Sequence, residues 1–216
     1  MSERPLTNRG DRMIVHERRR VMTQLLQVSG WLPLANRRIL ELDSGGEGEL
    51  TWLFSLGGMP ALATRLAFPT QPTGGADEPS QTIDFRADGL TLEHVDATFD
   101  LVVLSGVMSG IPDAVGRRAL AGEVQRVLKP GGVVLWYDMR YSSPGDATVR
   151  PVRRGEVRQL FPGLTETLQS VTLMPAIARR MRGATRTLYP TLAAIPILRS
   201  HLVGLIVKPV LNAPTG

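Results

Sequence analysis

The chain has 216 residues, a length that suits one domain with a substantial core. It contains no Cys, which excludes disulfides and thiolate metal sites, and no metal-ligand spacing stands out among the other residues. The net charge is +5 and the apolar fraction is 43%, that of an ordinary globular protein, with no apolar run near the length of an integral membrane span.

Almost all the cations are Arg, Lys129 and Lys208 being the only lysines. Such a balance suits anionic partners. The arginines are dispersed, however, and few aromatics accompany them, which argues against a nucleic-acid platform. A genome that encodes Arg by preference is the simpler account. The first twenty residues have no apolar core of a secretory signal, so a cytoplasmic location is expected.

Taken in chain order, residues 1–12 read as loosely attached. "VHERRRVMTQLLQVSGWL" reads as a helix, with Val15, Val21, Met22, Leu25 and Leu26 in an approximate stripe and Gly30 as its stop. "RRILEL" (37–42) is a buried strand running into a glycine cluster, and "GELTWLFSLG" (48–57) is the helix that follows. "PALATRLAF" (60–68) is a second strand, "PTQPTGGADEPS" (69–80) a polar loop, and "QTIDFRAD" (81–88) a third strand. "FDLVVLSG" (99–106) is a strongly apolar strand. An amphipathic helix over 113–128 stops at "KPGG", and "GVVLWYD" (132–138) is the next strand. Beyond residue 150 come a short helix (153–163), a strand (165–174), a helical stretch broken by Pro190 and Pro196 (175–200), and a last strand (201–209). Alternation of strands and helices implies right-handed crossovers and a mainly parallel sheet with helices on both faces.

Two stretches carry a family resemblance: "RRILELDSGGEG", and "FDLVVLSGVMSGIPD" with "LAGEVQRVLKPGGVVLWYD". Together, over about residues 37–140, they resemble the class I S-adenosylmethionine-dependent methyltransferases. The tail after residue 150 is similar to methyltransferases of bacterial glycan and natural-product clusters. The resemblance implies an α/β, Rossmann-like sheet, mostly parallel with a C-terminal antiparallel strand. It implies a single domain in which residues 1–36 form an N-terminal segment and helix, 37–216 the methyltransferase-like unit, and 150–216 its C-terminal strands with a helical insertion.

It also implies sites at the carboxyl ends of the strands. Glu41, Ser44, Gly45, Gly46 and Gly48 would surround the methionine end of S-adenosylmethionine, since glycine lets backbone approach a ligand closely. Asp88 and Gly89 would face the adenine, and Ser105 would lie beside the transferred methyl group. Asp138, at the end of the fifth strand, ranks first as a base or orienter.

Three residues depart from the family's pattern. Aligned from Glu41, the first and third loop glycines are Asp43 and Glu47. At an effective dielectric near 20, a like charge ~4 Å from the ligand carboxylate costs about 4 kcal/mol. The second strand lacks the acid that accepts the ribose hydroxyls, and its equivalent is Arg65, which can only donate. Arg65 either meets a phosphorylated ligand or points to solvent. The sequence therefore leaves two readings open. One is an enzyme that methylates a hydroxyl of a small-molecule acceptor, a sugar or secondary metabolite. The other is a catalytically inactive methyltransferase-like subunit supporting a partner methyltransferase, as a homo-oligomer or heteromer.

Overall fold

The computed structural model describes residues 9–44, 48–67, 91–142, 149–181 and 185–210. The strand expected over 81–88, the loop over 69–80, and Gly45, Gly46, Glu47, Asp88 and Gly89 lie outside the described residues. The described strands are β1 (Ile39–Asp43), β2 (Ala63–Ala67), β3 (Phe99–Ser105), β4 (Leu128–Met139), β5 (Thr165–Leu173) and β6 (Arg199–Val207). The helices are α1 (Arg9–Val28), α2 (Leu50–Ser55), α3 (Ala114–Val127), α4 (Arg154–Leu160), α5 (Pro175–Arg180) and α6 (Thr185–Ala193).

The strands form one sheet in the order β2-β1-β3-β4-β6-β5. β2, β1, β3 and β4 are parallel, and β6 runs antiparallel between β4 and β5. This is a Rossmann-like sheet, mostly parallel with an antiparallel C-terminal part and flanked by helices.

Side-chain alternation divides the core in two. Leu40, Leu42, Val102, Leu104, Val134 and Trp136 face the side covered by α3 and α4. Ile39, Leu101, Val103, Val133, Leu135 and Tyr137 face the side covered by α1, where Met22 and Leu26 are fully buried. Because the strands are apolar on both faces, they read as continuous runs in the sequence, as buried parallel strands do. Glu41 and Asp43 share the odd-numbered parity and hence the α1 face.

α3 begins where Asp113 caps it, its carboxylate accepting from the Gly116 amide at 2.7 Å. Its buried stripe is Leu120, Ala121, Val124 and Val127. Pro130 cannot continue a helix. The chain is already extended from Leu128, so β4 takes in the "KPGG" segment that reads as a stop in the sequence.

Two expectations are corrected. α1 starts at Arg9, so residues 9–12 are helical and not loosely attached; Gly10 is buried against α5. That stretch is too polar to show a periodic stripe, and its anchor lies 168 residues away, in the Asp11–Arg179 ion pair. Pro190 does not break its helix either. α6 runs through it, and the Pro190 carbonyl still accepts from the Ala194 amide at 3.1 Å.

The α1–α5 contact is close enough to reverse an ordinary rule. Gly→Ala in a helix interior usually stabilises by ~1 kcal/mol. At Gly10 a Cβ would stand 2.4 Å from the Ala178 carbonyl oxygen. Gly10→Ala is expected to destabilise the fold by about 1–3 kcal/mol through overpacking, measurable as a lower urea midpoint.

Candidate functional site

The chain passes from β1 to β2 on one side and then to β3 on the other, so the topological switch point lies between β1 and β3. Crevices at such points are where open α/β sheets bind ligands. Asp43 and Ser105 end these two strands in register. Ser44 follows, and its hydroxyl lies 3.2 Å from where a Cβ on Gly106 would be. Ser105 is buried at the end of β3.

Glu41 is fully buried. Its Oε1 accepts a hydrogen bond from the Glu49 amide, tying the first turn of α2 to β1. Its Oε2 accepts none and has Arg65 Nε at 3.6 Å. Arg65 stands opposite Glu41 on β2 and forms an ion pair with Asp43 through Nη2. Arg65 thus turns inward, and the solvent-facing alternative is excluded. Gly48 has φ +66°, and a Cβ there would meet Arg65 Cζ at 2.9 Å and Glu41 Oε2 at 3.1 Å. The guanidinium fills the space that the glycine leaves open.

Three residues here are not visible from sequence. Glu49 is fully buried, and its carboxylate pairs with Arg18 and, at 2.9 Å, with Arg19 Nε, both from α1. Arg19 Nη2 also donates to the Gly48 carbonyl at 3.3 Å. Arg18 lies over the Tyr137 ring at 4.8 Å, and that ring stacks on His201 at 4.6 Å. The only available hint is the "ERRR" run of α1 beside an acid at the start of α2, and its partners are about thirty residues apart.

Burial, opposed by the Glu49 amide and reinforced by Asp43, raises the Glu41 carboxyl from 4.5 to about 7. Burial, with the charge of Arg18, lowers His201 to about 3, so it is neutral at ordinary pH. Asp138 is also buried. Burial raises its pKa, against hydrogen bonds from Ser109 and from the Met139 and Met108 amides. Its Oδ2 accepts from Ser109 N at 3.1 Å and its Oδ1 from Met139 N at 2.7 Å. Asp138 therefore ties the end of β4 to the turn after β3. His16 lies on the exposed face of α1, and His94 packs edge-on against Phe99 at 5.0 Å, away from this edge. Of the residues expected from sequence, Glu41, Ser44, Gly48 and Ser105 come together at the sheet edge, while Asp138 stands across the β3 turn.

A family model described as a methyltransferase domain matches residues 58–136. No curated sequence matches the chain. Among solved structures, an S-adenosylmethionine-dependent methyltransferase from Mesorhizobium loti is similar, with 15% identity, a TM-score of 0.56, and 88% of this chain and 96% of that chain covered. One from Archaeoglobus fulgidus has 13% identity and a TM-score of 0.52 over 88% and 94%. A [4+2]-cyclase has 14% identity and a TM-score of 0.53 over 89% and 82%. The chain has the fold of the class I methyltransferases. The cyclase shows that this fold alone does not fix the reaction.

The raised Glu41 pKa has a stability consequence. The unfolded chain releases this proton near 4.5 and the folded one near 7. Between these values the folded state holds the extra proton, so this contribution to stability falls as pH rises through that window and is flat above it. Between pH 5 and 8, urea titrations should show wild type losing on the order of 3 kcal/mol more than Glu41→Gln. The Gln keeps an acceptor for the Glu49 amide.

Proposed function

We propose that the chain is an S-adenosylmethionine-dependent methyltransferase acting on a hydroxyl of a small molecule, a sugar or secondary metabolite. The observation that carries this reading is Glu41 Oε2. It is a buried acceptor without a hydrogen bond among the described residues, at the switch point of a methyltransferase sheet. An ammonium group is the donor such an atom suits, and the methionine moiety carries one.

Glu41, Ser44 and Gly48, with Gly45 and Gly46 of the same loop, would hold the methionine end. Ser105 would flank it, and Asp88 and Gly89 would meet the adenine. When bound, the cofactor supplies an electrophilic methyl group. The chain's own residues have the task of positioning. Asp138 acts as an orienter: it holds the Ser109 turn, which borders the expected acceptor position. Arg65 supplies donors where an acid would accept the ribose hydroxyls, so ribose contact must come from other groups.

A second reading, a non-catalytic subunit that supports a partner methyltransferase, is favoured by Arg65 itself. Its guanidinium sits against the Gly48 backbone and is held by Asp43 and Glu41. S-adenosylhomocysteine separates the two readings. At a hundredfold excess over its Kd, a bound ligand stabilises by about 2.7 kcal/mol, or roughly 5–10 °C in Tm for a chain of this size. The enzyme reading expects that shift, with heat in calorimetry. Neither signal at millimolar ligand overturns it and leaves the subunit reading, which then expects co-purification with a second methyltransferase.

A further inference from the structure

A separate site lies on the outer face of α1. There α1 and Trp52 of α2 border an open groove of about 640 Å³, a volume within the range of small-molecule sites. Its α1 wall comes from positions 12, 16, 20, 24 and 27 with their neighbours, a three-and-four spacing that places them on one stripe. Arg12, His16 and Arg20 are exposed along it, and Trp52 is half-buried opposite. No acid lines the groove.

The stripe is cationic. The ion pairs of α1 are made by Asp11, Arg18 and Arg19. Arg12 and Arg20 take part in none of these, and both residues line the groove. They are eight residues apart, ~12 Å along the helix axis, a spacing that lets two phosphoryl groups of one ligand each meet a guanidinium. Guanidinium groups recognise phosphoryl oxygens in a planar, paired geometry. Beyond them the lining becomes polar at Gln24 and Gln27, whose amides both donate and accept. Trp52 supplies the one aromatic side chain of the lining. A concave surface with one aromatic wall suits a single ring, whereas a single-stranded nucleic acid uses several stacking platforms.

We propose that this groove binds a small molecule carrying a diphosphate and a ring. Its phosphoryl oxygens lie on Arg12 and Arg20, its ring on Trp52, and the polar edge of the ring meets Gln24 and Gln27. The site does not depend on methyl transfer. Arg19 joins it to the first loop, because the same side chain lines the groove and holds Glu49 and the Gly48 carbonyl.

The test uses the full chain with uridine diphosphate, inorganic pyrophosphate and uridine as probes, followed by calorimetry. Uridine diphosphate should bind more tightly than pyrophosphate, and pyrophosphate more tightly than uridine. The Arg12→Gln/Arg20→Gln double variant should weaken uridine diphosphate at least about tenfold, the loss of charge-assisted contacts. Trp52→Leu should weaken uridine diphosphate and leave pyrophosphate unchanged. Tm and S-adenosylhomocysteine binding of the double variant serve as controls, so a failure here is distinct from a failure of the methyltransferase reading. No binding of uridine diphosphate or pyrophosphate at millimolar concentration overturns the proposal, as does undiminished binding by the double variant. A single-stranded oligonucleotide that binds more tightly than uridine diphosphate and is lost in that variant also overturns it, in favour of a nucleic-acid surface.

Discussion

Three carboxylates, those of Glu41, Asp43 and Glu49, are buried within one turn of the end of β1. An interior does not hold such charges uncompensated, since removing either partner of a buried pair is strongly destabilising. The compensation comes from three directions. Arg65 arrives on β2, Arg18 and Arg19 arrive on α1, and the Glu49 amide serves Glu41 directly. The position of α1 over the sheet, the inward turn of β2's arginine and the tight start of α2 therefore answer one electrostatic demand. Asp43, the described acid that departs from the glycine pattern, is balanced within the chain itself by Arg65.

The sheet was largely legible because buried parallel strands leave a local signature. "ILEL", "FDLVVLS" and "VVLWYD" are apolar on both faces, and turn or helix signals bound them. α3 was legible through its amphipathic stripe. What could not be read was set by distant contacts. The first turn of α1 is polar and is fixed by Arg179 and Ala178. Pro190 reads as a breaker, yet a helix that loses one amide keeps its remaining bonds when tertiary packing holds it; Tyr189 and Ala193 are buried in the small core shared with Ile14.

The same division runs through the site. Glu41, Ser44, Gly48 and Ser105 could be placed from sequence because they end apolar runs, and the ends of parallel strands converge. Arg65 could be placed but not oriented, since its direction depends on a carboxylate 22 positions away. Glu49 gave a signal that pointed elsewhere. An acid at the start of a helix normally reads as a favourable charge for the helix dipole, and here it is a buried anchor for a different helix.

α1 is held at both ends: near its start by Gly10 against Ala178, and in its second half by Met22 and Leu26 in the core. A helix fixed in this way behaves as a beam rather than a hinged flap. Arg18 and Arg19 tie the middle of this beam to the start of α2 through Glu49. Helix and first loop therefore form one mechanical unit, because separating them would strand a buried carboxylate.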